Sequence, residues 1–247
     1  MATEYPLQEK SPFGSGSNEH QKPLLEVSEL SKTFLIHHLS RQIPVFEGLN
    51  FQLEQGQFLR ITGANGHGKS TLLRCLYRTY RVTSGKAIYR SESGQIDLAN
   101  APDIDIASLR DREIGYVVQF LRPRPRVSAL DLVSEPLRKQ NVTKEEATER
   151  ASALLSRFGL NPKLWNAFPG TFSGGEQQRV NLAQGLSVPR RLLLLDEPTA
   201  SLDKTARGAI HQRLAELKEE GVTMICVFHH DEDLSDLVDD TLNVEKE

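Results

Sequence analysis

The sequence predicts an α/β fold in which a parallel sheet is combined with an antiparallel β region and an inserted helical lobe. A glycine-rich loop at residues 63–71 stands between an apolar strand at 58–62 and a helix. Apolar segments at 192–195 and 222–228, the first of them uninterrupted, are typical of parallel strands that are buried on both faces. The region of about 120–172 changes to the pattern of capped helices. A sheet of this kind gathers its ligands at the carboxyl ends of its strands.

Length and charge limit the classes of function. A chain of 247 residues can bury a substantial core. Its 30 Lys and Arg against 33 Asp and Glu give a net charge of -3, so we expect no general attraction to nucleic acid or anionic lipid. Cys75 and Cys226 lie in apolar runs, which predicts buried, reduced thiols. Since the sequence shows neither a membrane-spanning apolar stretch nor a leader pattern, we expect a cytoplasmic protein that contacts membranes only through a partner.

The N-terminal part divides into a tail and a β region. Residues 1–22 are polar and lack periodicity, which predicts a flexible tail, and the remaining 23–247 form the folded domain. Phe34 stands where its ring could stack on a base, although phenylalanine in a strand is more often a core residue. His37 and His38 face opposite ways if they lie in a strand, which disfavours shared metal coordination. The antiparallel β region is predicted from short apolar segments at 25–27, 33–36, 44–46 and 49–53.

The glycine-rich loop matches the pattern of a phosphate-binding loop. Its glycines allow successive N–H groups to point inward, and the helix that follows, predicted over about 70–80, adds partial positive charge. Lys69 would reach the β and γ phosphates, and Ser70 would offer its hydroxyl to Mg²⁺. A structural glycine turn is the alternative, but the flanking strand and helix favour phosphate binding. The predicted ATP-binding residues are Gly63, Ala64, Asn65, Gly66, His67, Gly68, Lys69, Ser70 and Thr71.

A hairpin and a further strand follow the loop. Segments 86–90 and 95–98 are predicted to pair, and a polar helix over about 106–112 leads to a strand at 114–118. Gln119 directly follows that strand, where its amide could touch Mg²⁺ or an attacking water. Taken alone, the same residue is more typical of an ordinary loop glutamine.

The lobe of about 120–172 is predicted to contain two helices. Capping-box patterns open helices at about 129–139 and 144–158. The arginines of segment 122–126 could bind an acidic partner or could belong to a solvated connector. Trp165 is expected to pack this lobe.

Polar groups follow the lobe at two further points. Ser173, Gly174, Gly175 and Glu176 open another helix, whose exposed N–H groups indicate either an anion site or an ordinary capped helix. After the apolar run at 192–195, two acids come at a strand end. Asp196 is placed to hold Mg²⁺ through water, and Glu197 is placed to polarise a water that attacks the γ-phosphate. Ordinary strand-end carboxylates are the alternative.

The last predicted elements are a helix at about 204–219 and the strand at 222–228. Asp203 precedes the helix, and His229 and His230 follow the strand. A histidine at that point can hydrogen-bond a γ-phosphate.

In this order, the motifs resemble those of ABC-type ATPases over about residues 24–243. The resemblance matches the Walker A loop at 63–71 and the Walker B strand at 192–196. It implies a P-loop NTPase that binds ATP and Mg²⁺, with ATP held between the Walker motifs of one subunit and the signature of a second. The implied roles are Glu197, His230 and Gln119 in catalysis; Ser70, Gln119 and Asp196 at the metal; Phe34 at the base; Ser173, Gly174, Gly175 and Glu176 as the signature; and Asp203 in the D-loop. His230 is chosen as the switch histidine because it precedes Asp231, and His229 is the second choice.

Further segments resemble the PhnL group of ABC-type subunits in the bacterial carbon-phosphorus lyase system. These are residues 31–34, 70–77, 119–122, 125–130, 164–165 and 171–181. The resemblance implies a role in phosphonate breakdown, linked to the step that joins a phosphonate to the ribose of a nucleoside triphosphate. The implied partners are soluble lyase core proteins and a second ABC subunit, either another copy or a PhnK-like sister. An ATP-binding subunit of a membrane transporter and a non-enzymatic scaffold are the alternative hypotheses.

Overall fold

The computed structural model describes residues 22–36, 41–119, 123–228 and 234–245. The N-terminal tail, His37, His38, His229 and His230 therefore lie outside the described residues. In chain order the elements are β1 Leu25–Ile36, β2 Arg41–Leu53, β3 Phe58–Thr62, α1 Lys69–Leu76, β4 Ser84–Ser91, β5 Gly94–Asp97, α2 Asp103–Arg112, β6 Ile114–Val117, α3 Ala129–Arg138, α4 Lys144–Arg157, α5 Gly174–Gly185, β7 Leu192–Asp196, α6 Lys204–Glu219, β8 Thr223–Val227 and β9 Asp240–Asn243.

The strands within these ranges form two sheets. An antiparallel sheet has the order β2-β1-β4-β5, and a parallel sheet has the order β6-β7-β8-β3-β9. The predicted combination of a parallel sheet with an antiparallel β region is therefore confirmed. β7 and β8 are buried along their whole length, as their largely apolar sequences predict.

The antiparallel sheet contains longer strands than the sequence pattern predicts. The segments predicted at 25–27 and 33–36 belong to the single strand β1, which pairs with β2 along its length. Register shifts interrupt this pairing between Val27 and Thr33, and Glu29 there has a φ of 51°. Such irregularities break the alternation of inward and outward side chains, so one strand gives the pattern of two.

Helix α1 is shorter than predicted. It ends at Leu76, and Arg78 then adopts a left-handed φ of 63° instead of continuing the helix to residue 80. Arg78 turns inward, where its Nη2 donates to the carbonyl oxygen of Ala101 at 3.4 Å and its Nη1 lies 3.5 Å from Asp103 Oδ1. Contacts distant in sequence therefore end this helix.

The helical lobe forms as predicted. The Ser128 hydroxyl accepts from the Asp131 N–H at the start of α3, and the Thr143 hydroxyl accepts from the Glu146 N–H at the start of α4. Trp165 packs against the apolar core that the lobe shares with one face of the parallel sheet. The lobe is therefore anchored to the sheet that carries the candidate site.

Both cysteines are free and buried, in agreement with the predicted reduced thiols. Burial raises the pKa of Cys75 to about 12. Among the helices that the structure describes, none has the length and apolar character required to span a bilayer.

Candidate functional site

The glycine-rich loop joins β3 to α1 and depends on glycine at particular positions. Gly68 has a φ of 92°, and a Cβ there would lie 2.4 Å from Val45 Cγ1. Gly63 has a φ of 136°, and a Cβ there would lie 2.3 Å from the Val244 carbonyl oxygen. Gly68 also precedes α1 without a capping side chain, so the first N–H groups of the helix are not blocked. The loop is therefore shaped to present backbone N–H groups to an anion.

Lys69 lies within this loop and is 7% exposed. Its Nζ donates to the carbonyl oxygens of Gly63 at 2.7 Å and Ala64 at 3.1 Å. The His67 N–H donates to the same Ala64 carbonyl oxygen at 3.2 Å. These neutral acceptors hold the ammonium group in the loop and can be exchanged for phosphate oxygens, which are stronger acceptors because they are charged.

Ser70 and Asp196 meet although they are 126 residues apart in sequence. The Ser70 hydroxyl donates to Asp196 Oδ1 at 2.7 Å, and Asp196 is completely buried. Burial raises the pKa of the Asp196 carboxyl, while the hydrogen bonds from Ser70 and Tyr116 oppose that rise. The predicted metal residues from the loop and from β7 are therefore brought together.

Gln119 and Glu197 also meet, at the ends of β6 and β7. The Gln119 Nε2 donates to Glu197 Oε2 at 2.8 Å. Glu197 has a φ of 51°, an unfavourable conformation for a residue with a side chain, and its N–H donates to the Val227 carbonyl oxygen at 2.9 Å. This backbone bond holds the strained residue at the strand end.

A cavity of about 600 Å³ lies in front of the loop. Phe34 is half-buried at this cavity, with its ring edge-on to Tyr80 at a centroid distance of 5.3 Å and with Lys32 Nζ 4.5 Å from its ring centre. The position at the cavity favours a binding role for Phe34 over a pure core role. The lining residues are Phe34, Val45, Asn65, Gly66, Gly68, Lys69, Ser70, Thr71 and Glu197.

The signature residues do not line this cavity within the described part of the chain. Ser173 and Glu176 form the predicted capping box, in which the Ser173 N–H donates to Glu176 Oε2 at 2.8 Å. A Cβ on Gly175 would lie 3.3 Å from the Ser201 carbonyl oxygen, whereas a Cβ on Gly174 would meet nothing within 4 Å. The tip of α5 thus packs on the loop before α6 and leaves Gly174 open.

Asp203 connects that loop to the lobe. Its Oδ1 accepts from the Ala206 N–H at 2.9 Å, which caps α6, and its carboxylate forms an ion pair with Arg179 of α5. Arg179 Nη1 also donates to the carbonyl oxygens of Phe158 at 3.0 Å and Gly159 at 2.8 Å. The start of α6, helix α5 and the segment that ends α4 are therefore all contacted by the Arg179 guanidinium.

Sequence reasoning missed Tyr116. Its hydroxyl donates to Asp196 Oδ2 at 3.1 Å, so it belongs to the candidate metal site. A partly buried tyrosine in a strand usually finds a partner for its hydroxyl, and this was the available signal.

The oxygen atoms at this edge fit a hard divalent cation. Ser70 supplies a hydroxyl, Asp196 a carboxylate and Gln119 an amide, and oxygen donors of these kinds are the ligands of Mg²⁺. Asp196 is a buried acid whose hydrogen-bond partners are hydroxyl groups, so a cation would compensate its charge.

Comparisons with known proteins agree with this geometry. Residues 46–200 match the family described as ABC transporter. The lipoprotein-releasing system ATP-binding protein LolD of Geobacter metallireducens is 36% identical over 209 residues, which cover 84% of this chain and 90% of LolD. The glutamine transport ATP-binding protein GlnQ of Geobacillus stearothermophilus is 36% identical over 75% of this chain and 74% of its own length. The dimeric post-hydrolysis structure of the ATP-binding cassette MJ0796, bound to ADP and Pi, has a TM-score of 0.78 at 27% identity and covers 90% of this chain and 94% of MJ0796.

Proposed function

The chain belongs to the ABC transporter family of ATP-binding proteins, and from this premise we propose that it hydrolyses ATP at the cavity in front of the glycine-rich loop. One observation carries the proposal: Lys69, Ser70 and Glu197 line one cavity, and Asp196 is bonded to Ser70 directly behind it. Lys69 and the loop N–H groups would bind the β and γ phosphates. Phe34 would stack on the base.

Ser70, Asp196 and Gln119 would hold Mg²⁺. The bound ion would neutralise charge on the phosphates and orient them. Glu197 would accept a hydrogen bond from the attacking water through its carboxylate. Gln119 engages one oxygen of that carboxylate and orients it. His230 would contact the γ-phosphate, as the resemblance implies.

We propose that the working unit is a pair of ABC subunits. The signature residues of the same chain do not reach the described cavity, so a second subunit would supply Ser173, Gly174, Gly175 and Glu176 to close it. The dimeric form of the MJ0796 cassette supports this arrangement. The partner would be a second copy or a sister ABC subunit.

Dimer formation provides the test. A charge at Gly174 should repel the triphosphate of the opposite site without disturbing the fold, because a Cβ there meets nothing within 4 Å. We expect Glu197→Gln to form an ATP-dependent dimer in sedimentation, and expect the double variant with Gly174→Asp to bind ATP but stay monomeric. Gly170→Asp is the matched control, since that position is equally open. Dimerisation of the Gly174→Asp double variant would contradict the proposed sandwich.

For the larger assembly, the relatives support a membrane transporter. LolD and GlnQ are ATP-binding proteins of a lipoprotein-releasing system and of glutamine transport, and each matches most of this chain. We propose that this chain serves a membrane component in the same manner. The helical lobe would be the surface that contacts it.

The second candidate is a subunit of the carbon-phosphorus lyase system. The specific observation in its favour is the sequence of the lobe and signature, in particular residues 125–130, 164–165 and 171–181, which resemble the PhnL group. Trp165 of this set has a defined place, since its Nε1 donates to the Leu160 carbonyl oxygen at 3.2 Å. In this case the ATPase would act on soluble lyase proteins in phosphonate catabolism.

Affinity purification from cells grown on a phosphonate as the phosphorus source separates the two candidates. Mass spectrometry of the captured complex should show an integral membrane permease in the first case. It should show soluble lyase proteins and a PhnK-like subunit in the second. The Gly174→Asp protein, purified in parallel, reports which partners depend on the ATP-bound pair.

A further inference from the structure

Asp196 is held on both of its carboxylate oxygens. Ser70 donates to Oδ1 at 2.7 Å from the first turn of α1, and Tyr116 donates to Oδ2 at 3.1 Å from β6. β6 and β7 are parallel neighbours in which Tyr116 pairs with Leu194, two residues before Asp196. The two hydroxyls therefore approach the same buried carboxylate from two separate elements.

The Tyr116 ring is itself fixed by packing. It lies against Tyr77 at a centroid distance of 5.1 Å, and the Arg110 guanidinium covers the Tyr77 ring at 4.5 Å. Arg110 also donates to the Tyr77 carbonyl oxygen from Nε at 2.8 Å and from Nη2 at 2.6 Å. The end of α1 and the end of α2 thus hold the ring from outside the site.

The Arg74 guanidinium interacts electrostatically with the Tyr116 phenol, and it donates to the Tyr80 hydroxyl at 3.3 Å. The hydrogen bond from Tyr116 to Asp196 uses the single phenol proton, because a carboxylate has acceptors and no donor.

We propose that Tyr116 is a positioning residue for the metal site, which fixes the rotation of the Asp196 carboxylate so that Oδ1 and the Ser70 hydroxyl face the nucleotide cavity. This inference rests on the proposed ATP and Mg²⁺ function. A carboxylate with one hydroxyl donor can turn about its Cβ–Cγ bond, whereas donors on both oxygens restrict that rotation. Because Asp196 is buried, loss of the second donor leaves Oδ2 without a hydrogen-bond donor among the residues that the structure describes.

The experiment compares Tyr116→Phe with the unaltered protein. Mn²⁺ binding to the complex with a non-hydrolysable ATP analogue is measured by electron paramagnetic resonance, and affinity for the same analogue is measured without metal in EDTA. We expect the Mn²⁺ dissociation constant to rise about tenfold, the size expected for a lost hydrogen bond to a charged group. Affinity for the ATP analogue without metal should stay the same, since phosphate binding by the glycine-rich loop does not depend on the Tyr116 hydroxyl.

Tyr77→Phe is the matched control, because it removes a hydroxyl from the ring that packs against Tyr116. It should leave both affinities unchanged. Circular dichroism melting verifies folding of each variant. If Tyr116→Phe does not fold, Tyr116→Met provides a second variant without a hydroxyl, because methionine fills irregular spaces.

The possible outcomes distinguish failure of the positioning role of Tyr116 from failure of the proposed ATPase function. Unchanged Mn²⁺ affinity in a folded Tyr116 variant would overturn the positioning role and leave the ATPase proposal intact. Equal loss of affinity with and without metal would also overturn it, since that pattern indicates a general disturbance of the site. If the unaltered protein forms no complex of Mn²⁺ and nucleotide, the proposed function itself fails.

Discussion

Gln119 and Glu197, 78 residues apart in sequence, are joined by a hydrogen bond of 2.8 Å from the Gln119 amide to the Glu197 carboxylate. The contact connects the ends of two neighbouring strands, β6 and β7, of which β7 also carries Asp196. The proposed metal ligand and the proposed base are therefore linked before any nucleotide enters. Changes at either residue are expected to affect turnover more than ATP binding.

Replacement of Glu197 by Gln tests whether the Glu197 carboxylate acts as the base towards the attacking water. The amide keeps the shape of the side chain but cannot accept a proton, so ATP turnover in the assembled complex should fall by about 100-fold or more. ATP should remain bound in the variant, which equilibrium dialysis can measure. Glu219→Gln, which removes the same charge at an exposed position outside the site, serves as the control. Unchanged turnover in the Glu197 variant would contradict the assignment.

Replacement of Lys69 by Ala tests the phosphate loop. It removes the one ammonium group that the described loop holds against the Gly63 and Ala64 carbonyl oxygens. We expect ATP affinity, measured by isothermal titration calorimetry, to fall by about tenfold or more, the effect of a lost charge-assisted hydrogen bond. Lys86→Ala removes an exposed lysine outside the site and should leave affinity unchanged. Normal ATP affinity in the Lys69 variant would contradict phosphate binding by this loop.

Two glycines of the loop allow the effect of backbone strain on stability to be measured separately from the effect of a steric clash. Gly66 and Gly68 both have positive φ, but a Cβ meets nothing within 4 Å at Gly66 and lies 2.4 Å from Val45 Cγ1 at Gly68. Gly66→Ala should lower the free energy of unfolding by about 1 kcal/mol through backbone strain alone. Gly68→Ala should lower the free energy of unfolding by about 1–3 kcal/mol more than Gly66→Ala does, because the added Cβ overpacks the site. Urea denaturation measures both, and equal losses would show that the contact with Val45 relaxes freely.

Acid should weaken the link between α4 and α6. Two hydrogen bonds of 2.6 and 2.9 Å join the Arg157 guanidinium to the Glu216 carboxylate, and this contact holds the pKa of Glu216 below its usual 4.5. Since the folded pKa is depressed, the stabilisation is present above pH 4.5 and is lost as the pH falls through the folded pKa.

Glu216→Gln should therefore be less stable than the unaltered protein at neutral pH, with a difference that disappears on acidification. Urea unfolding over a pH series measures this difference. Glu219→Gln, at an exposed position on the same helix, should show little change at any pH. A difference for Glu216→Gln that does not depend on pH would indicate that the ion pair contributes nothing.

Local sequence signals were sufficient to predict most of the helices and strands. The caps at Ser128, Thr143 and Ser173 identified three helix starts, because each cap bonds to an N–H three residues away. Strand β9 was not predicted. It is a mostly exposed edge strand without an apolar run, and it forms because β3 offers it parallel pairing.

The sequence by itself determined the glycine-rich loop, the strands that precede the acids and the motifs that indicate ATP binding, because these depend on neighbouring residues and their periodicity. Tertiary structure alone decided that Ser70 and Tyr116 meet at Asp196 and that Gln119 meets Glu197. The strand order β6-β7-β8-β3 sets which strand ends are neighbours. That order comes from pairing between distant segments, which no local pattern encodes.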